Sequence, residues 1–228
     1  MSSTTNHAVR QDLRQTIVDT GVEMIKTGMT VGTWGNISLR DPETNLMYIS
    51  PSGMDYMKIR AEHVVVLTLD LEVIEGTAEP SIEKAMHAAV YKRRPDVNAV
   101  IHTHPVFSSV FGAVKMELPA VSEDFAQIVG DKVGFPEDYE LPGTVELGES
   151  AAMALGQNNA VILPNHGSLS VASSIKQALK VSVVLEKNAQ IYLFARLLGT
   201  PQLIEPDDIH AMQVYARTQY GKKNQDLV

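Results

Sequence analysis

The chain has 228 residues, which favours one domain over two small ones and is long enough to bury roughly 70% of the unfolded surface without a disulfide or metal to hold the fold. Its 19 Lys and Arg against 27 Asp and Glu leave a formal net charge of -8, a poor balance for general electrostatic binding of nucleic acid or anionic membrane. Hydrophobic residues at 44% argue against disorder, and the lack of cysteine removes disulfides, thiolate metal sites and cysteine nucleophiles together.

The N-terminus, MSSTTNHAVRQDLRQ, has no apolar core behind its charges and does not read as a secretory signal. No run of about 18 apolar residues is present, so no membrane span is expected. The expectation is a soluble, cytoplasmic protein, a single domain over 1–228 with flexible tails at about 1–8 and 221–228. Leu13, Ile17, Val18, Met24 and Ile25 form an apolar stripe that predicts a helix from Val9 to Thr27, stopped by Gly28. Short strands follow at Asn36 to Leu39 and Leu46 to Ile49, separated by the turn DPETN, with a second turn at Ser50-Pro51-Ser52-Gly53. Val64 to Leu67 and Val73 to Glu75 read as a hairpin around Asp70, and Pro80-Ser81 introduces an amphipathic helix from Ile82 to Arg93.

Beyond Pro95, Asn98 to His104 is an apolar strand ending in histidines, and Val106 to Ala113 a short helix. Asp124 to Gly130 is ambiguous. Val145 to Leu155 predicts a helix, Ala160 to Leu163 and Leu169 to Ala172 strands, Ile175 to Leu198 a long helix, and Pro206 to Tyr220 the last one. Several strands are joined by short turns, which demand antiparallel neighbours. A mixed sheet within an interleaved α/β chain is therefore expected rather than a purely parallel one.

His102-Thr103-His104 carries the first chemical signal. Residues two apart in a strand share a face, so the two imidazoles would stand side by side as a metal pair. The alternative is one buried, hydrogen-bonded histidine and one on the surface. His166, in Asn165-His166-Gly167 just after a second apolar strand, adds a third imidazole, and three protein ligands with an open position are the usual catalytic zinc arrangement. His7, His63 and His210 lack such a setting; His87 follows Glu83 by one helical turn and can pair with it, core packing being the alternative. Glu83 lies in the first turn of its helix, where the dipole favours a carboxylate, and a functional role requires that helix start to lie beside the histidines. Gly32-Thr33-Trp34-Gly35-Asn36-Ile37-Ser38 and Ser50-Pro51-Ser52-Gly53 are turns whose N–H groups can cradle an anion, although without the ending of a P-loop.

Gly35-Asn36-Ile37-Ser38, Ser50-Pro51-Ser52-Gly53, Pro80-Ser81-Ile82-Glu83, His102-Thr103-His104 and Asn165-His166-Gly167 together resemble, in order and spacing, the class II aldolase/adducin family, whose enzymes include L-fuculose-1-phosphate aldolase and L-ribulose-5-phosphate 4-epimerase. The resemblance spans roughly residues 10 to 222. It implies a three-layer αβα sandwich with a mostly antiparallel, mixed central sheet, and a homotetramer with active sites between subunits. It further implies zinc, with manganese or cobalt as other options, held by His102, His104 and His166. Glu83 matches the general acid/base of the aldolases, whereas the epimerases are similar but carry an aspartate there. The family's phosphate pocket maps onto Gly35, Asn36, Ser52, Gly53 and Ser81, and Tyr220 resembles the catalytic tyrosine of the aldolase tail.

Two departures stand out against that pattern. Ile82 replaces a second serine of the phosphate pocket, and Glu123 occupies the position of a tyrosine supplied by the neighbouring subunit. The implied reaction is retro-aldol cleavage of a ketose, such as a ketose 1-phosphate or a related deoxy sugar phosphate, to a dihydroxyacetone (phosphate) unit and an aldehyde through a metal-stabilised enediolate. Epimerisation, dehydration or decarboxylation at the same metal, and a non-catalytic adducin-like module, are the alternatives.

Overall fold

A computed structural model describes residues 9–220; the expected tails at 1–8 and 221–228 lie outside the described residues. The first helix, α1 (Gln11–Lys26), leads into β1 (Asn36–Arg40), β2 (Met47–Ile49), a 3-10 turn at Ala61–His63, β3 (Val65–Leu67) and β4 (Val73–Glu75). Then come α2 (Lys84–Arg93), β5 (Ala99–Thr103) and α3 (Val106–Val114), followed by a small β6 (Leu118–Pro119), α4 (Glu123–Ile128) and β7 (Lys132–Val133). The chain closes with α5 (Val145–Leu155), β8 (Ala160–Leu163), β9 (Gly167–Ala172), α6 (Ile175–Leu198) and α7 (Pro206–Thr218).

Seven strands form one sheet in the order β4-β3-β2-β1-β5-β9-β8, and each adjacent pair is antiparallel. The mostly antiparallel, mixed sheet that was expected is antiparallel throughout, with no parallel pair among the described strands. β6 and β7 make a separate two-stranded ribbon. Neither was anticipated, because two residues are too few to show a period of two.

The strands read as apolar runs because the sheet is covered on both faces. Met47, Ile49, Val65, Leu67, Val100, Val161 and Leu163 face α2 and α5 in one core. Their alternates Tyr48, Val66, Ala99 and Ile101 meet α1 and the start of α6 in a second. Ala160 and Ile162, on the other face of β8, join α3, α4, α6 and α7 in a third. The period of two thus divides the buried strands between two helical layers, which yields the αβα sandwich, while β4 at the sheet edge stays exposed.

Two boundaries differ from expectation in ways that matter. The ambiguous stretch after Val121 is α4, and it begins at Glu123. The second helix begins at Lys84 rather than Ile82, because Ser81 Oγ accepts the Glu83 N–H at 3.2 Å and the Ser81 carbonyl accepts the Lys84 N–H at 3.2 Å. Ile82 and Glu83 therefore form a tight turn, and Glu83 is the residue that caps the helix rather than a member of its first turn.

Close packing leaves clear marks. A Cβ on Gly21 of α1 would lie 2.3 Å from Cδ1 of Tyr56, whose hydroxyl donates to the Gly35 carbonyl at 3.0 Å. Replacing glycine by alanine inside a helix ordinarily stabilises by about 1 kcal/mol. Here Gly21→Ala is expected to destabilise by about 1–3 kcal/mol through overpacking, measured as a lower urea midpoint.

Candidate active site

β5 lies between β1 and β9, and that position assembles the site. His102, on β5, is registered with Asn36 of β1 on one side and Leu169 of β9 on the other. His104 follows just past the strand end, its N–H donating to the Met29 carbonyl at 3.0 Å. The two-residue spacing holds, and the two imidazole centroids are 4.7 Å apart. His166 sits in the turn between β8 and β9, where Asn165 takes a left-handed φ of 53°. Its ring centroid is 4.6 Å from that of His102 and 5.1 Å from that of His104. Each histidine offers a ring nitrogen, and the three nitrogens lie within 4.8 Å of one another. Gly167 makes this convergence possible. A Cβ there would stand 2.2 Å from the Thr103 carbonyl oxygen and 3.3 Å from carbons of both His102 and His104.

Glu83 reaches the same point from the other direction. An antiparallel bridge joins Pro51 to Pro80, and the Ser52 N–H donates to the Glu79 carbonyl at 2.8 Å while the Ser81 N–H donates to the Ser50 carbonyl at 3.1 Å. These contacts lay the Ser50–Gly53 turn against Pro80–Glu83. The Glu83 carboxylate is buried, with Oε2 3.3 Å from His102 Nε2 and Oε1 3.3 Å from His166 Nε2. At the head of β1, Gly35 has φ of 74°, and a Cβ there would lie 2.6 Å from the His102 carbonyl oxygen, so only glycine fits that approach.

Desolvation sets the charge of this cluster. Burial pushes His102 down to about 3 and His166 down to about 4, and it also lowers His104, where the Glu83 carboxylate opposes the shift. At neutral pH all three rings are uncharged. His102 Nδ1–H donates to the Ser168 carbonyl at 3.0 Å, which leaves its Nε2 bare and aimed at the cluster. His102 Nε2 and His104 Nε2 face each other at 2.8 Å. Among the described residues, Glu83 Oε1 and His166 Nδ1 are buried with no hydrogen-bond partner. Three neutral imidazoles beside a buried carboxylate form a donor set that fits a divalent cation, and His102, His104 and His166 are the residues that could hold one.

A cavity of about 350 Å³ opens onto the cluster. Gly35, Asn36, Ser52, Gly53, Ser81, Glu83, His104 and His166 all line it, so the expected anion-binding turns and the histidines share one chamber. His102 is fully buried beneath it. Glu123 is exposed at the start of α4 and Tyr220 is exposed beyond the end of α7, and neither belongs to the cavity wall. Trp34 belongs to the glycine-rich turn before β1. It lines the cavity and stacks on His104 at 7° between planes with centroids 6.4 Å apart. Pro142, from a loop distant in sequence, carried no signal that could have identified it.

Of the two readings left open for His87, burial in the core is realised and direct pairing with Glu83 is not. His87 Nε2 meets Asn36 Oδ1 at 2.5 Å, and Asn36 Nδ2 donates to Glu83 Oε2 at 2.7 Å, so the two helix residues connect only through β1. The fully buried His87 projects from α2 onto the sheet, where Asn36 stands between it and the carboxylate. A second groove, of about 180 Å³, lies between α2 and α5. Its charged groups are already engaged in ion pairs, Lys92 with Asp70 and Glu149 with Arg93, and it holds no histidine.

Comparison with known proteins points to one family. Residues 15–193 match the profile described as the class II aldolase and adducin N-terminal domain. A 5-deoxy-D-ribulose 1-phosphate aldolase of Bacillus thuringiensis serovar kurstaki is 41% identical over 199 residues, 87% of this chain and 92% of that protein. An L-ribulose-5-phosphate 4-epimerase of Salmonella paratyphi B is 28% identical over 221 residues, 92% of this chain and 96% of that protein. The solved structure of an L-fuculose 1-phosphate aldolase superposes with a TM-score of 0.90 at 33% identity, covering 93% of this chain and 99% of that one.

Two expectations follow from the geometry. Metal-free protein should take up one equivalent of zinc or cobalt(II) in a titration followed calorimetrically, and His166→Ala should abolish tight uptake while the far-ultraviolet circular dichroism is retained. Burial also pushes His87 down to about 3 from an ordinary value of 6.5. The unfolded chain therefore takes up a proton near 6.5 that the folded protein refuses until about 3, so stability falls as pH drops through that window. Such a group contributes about 1.4 kcal/mol per pH unit, and His87→Gln is expected to flatten the pH dependence of the urea midpoint by about that slope between roughly pH 6 and 4.

Proposed function

The chain belongs to the class II aldolase and adducin family, and we propose that this member is an aldolase that cleaves a ketose 1-phosphate of the deoxy-sugar class by retro-aldol chemistry. The observation that carries this reading is the Glu83 carboxylate, set 3.3 Å from nitrogens of both His102 and His166 at the floor of a cavity whose wall also holds Ser52, Gly53 and Ser81. The names of the relatives, a 5-deoxyribulose-phosphate aldolase and a fuculose-phosphate aldolase, support the same substrate class.

A divalent cation held by His102, His104 and His166 would act there as a Lewis acid, polarising the ketone and offsetting negative charge on its oxygen. Glu83 handles the proton. In the cleavage direction a base removes the proton from the hydroxyl on the departing carbon, and the carbon–carbon bond breaks as the aldehyde forms. The electron pair remains on the ketone fragment, and the carbon left behind is then protonated. Glu83, with one carboxylate oxygen unpartnered, enters cleavage in its protonated form and delivers that last proton, the one taken from the hydroxyl later restoring it through solvent; in the reverse direction the carboxylate removes the proton. Burial keeps the exchange away from water.

Anion binding here relies on neutral donors, because no lysine or arginine is among the residues lining the cavity. Ser81 accepts from the Glu83 N–H, which leaves its hydroxyl proton free to donate into the chamber. The N-terminus of α2 adds the positive end of its dipole. Glu123 and Tyr220 are the residues proposed to serve the aldehyde oxygen, with Glu123 contributed by a neighbouring subunit of a homotetramer.

A second reading rests on Ile82. Ile82 is 55% exposed and lines the cavity beside Ser81, where its side chain offers no hydrogen bond. An unphosphorylated ketose would suit such a wall.

The test is aldehyde release from matched phosphorylated and unphosphorylated ketoses by zinc-loaded protein. Cleavage confined to the phosphorylated set is the expected result. Glu83→Gln should lower kcat by about 10²–10⁴-fold, and Ser81→Ala should raise KM for the phosphorylated ketose by about tenfold or more, the cost of one charge-assisted hydrogen bond. Isomerisation without any aldehyde would overturn the aldolase assignment.

A further inference from the structure

We propose that His87 is a positioning residue which, through Asn36, fixes the orientation of the Glu83 carboxylate. The inference rests on the reading of Glu83 as the acid/base of this site.

Proton placement starts from the carboxylate, which accepts hydrogen bonds and does not donate them. Asn36 lies 2.7 Å from Glu83 Oε2, so the amide must turn its Nδ2 toward that oxygen. Its Oδ1 then points the other way, 2.5 Å from His87 Nε2, and can only accept. His87 therefore carries its proton on Nε2. Full burial keeps the ring neutral, so Nδ1 is bare and accepts from the Ser38 hydroxyl at 2.6 Å. Ser38 Oγ, its proton committed, accepts from the Tyr91 hydroxyl at 2.8 Å. Donation runs one way through five side chains, from Tyr91 to Ser38, His87, Asn36 and Glu83.

A buried network of this kind could serve only to satisfy polar groups, but its path is specific. It leaves α2 at His87, crosses to β1 at Asn36, and returns to the cap of the same helix at Glu83. Rotation of the carboxylate is thereby tied to the sheet that carries His102. One oxygen is held by Asn36, and the other, Oε1, has no hydrogen-bond partner among the described residues and lies toward His166. The oxygen left free is the one available to carry the proton. Asn36 was expected in the anion pocket. It lines that cavity, and its carbonyl oxygen and one amide proton are committed to the relay.

The test uses two substitutions in the full-length, metal-loaded protein. A glutamine side chain places an amide N–H near the position of the histidine Nε2–H, whereas phenylalanine keeps the bulk and donates nothing. His87→Phe is expected to lower kcat by about 10–100-fold, the usual effect of removing a supporting partner of a site residue, with KM and bound metal per chain unchanged. His87→Gln is expected to recover most of that loss. Equal loss in both variants, or loss of bound metal in parallel with activity, overturns the proposal. Should His87→Phe fail to fold, nitrogen-15 NMR of histidine-labelled wild type provides the second readout. A neutral Nε2–H tautomer at His87 supports the relay, and an Nδ1–H tautomer overturns it. If Glu83→Gln cleaves substrate as wild type does, the acid/base reading fails instead, while the tautomer still judges the relay.

Discussion

A carboxylate buried among neutral imidazoles is the constraint around which this molecule is arranged. Burial keeps His102, His104 and His166 uncharged, so none of them supplies the cation that Glu83 would ordinarily seek. A desolvated carboxylate without a counter-charge is costly, and its neighbours answer with the Asn36 amide and with nitrogen lone pairs gathered at one point. The same arrangement that strains against water is suited to a divalent cation and to proton transfer. Stability and chemistry are therefore coupled at this spot, as is usual for sites whose groups have displaced titrations.

Backbone approaches that exclude side chains make the cluster possible. Gly167 brings β9 against the end of β5, and Gly35 brings the start of β1 against His102. The Pro51–Pro80 bridge then pins the serine-bearing turn to the Glu83 cap. The three histidines come from the end of β5 and the β8–β9 turn, and the hydroxyl-bearing donors come from the turn after β2 and the segment before α2. One cavity wall thus presents neutral hydrogen-bond donors next to a buried carboxylate, with no lysine or arginine among its residues.

Much of this was legible in the residue order. The His-x-His spacing implied neighbouring rings, and β5 delivers them with centroids 4.7 Å apart. The Asn-His-Gly run after an apolar strand placed a third ring, and the glycine now has a steric reason. Apolar runs flanked by turns located most of the strands, and the long helices matched their periodicity. Boundaries failed where side chains captured backbone groups. Ser81 took the Glu83 N–H and delayed α2 by two residues beyond the expected start at Ile82. The β6–β7 ribbon was invisible because two residues per strand carry no pattern.

What the sequence by itself determined was the inventory of the site and the fold that holds it: three imidazoles, a carboxylate, hydroxyl- and glycine-rich turns, and strands buried on both faces. Local periodicity and short-range turn chemistry encode those features, so they can be read from neighbours along the chain. Tertiary structure alone decided how the inventory is wired. Glu83 and His87, a helical turn apart, do not touch; they meet through Asn36, which is remote in sequence and reaches them only because β1 pairs with β5 beneath α2. Trp34 becomes a cavity wall by stacking on His104, and Glu123 and Tyr220 fall outside that wall. Hydrogen-bond direction and side-chain contact depend on distances between segments far apart in the chain, and those distances are set by packing three layers together rather than by any local run of residues.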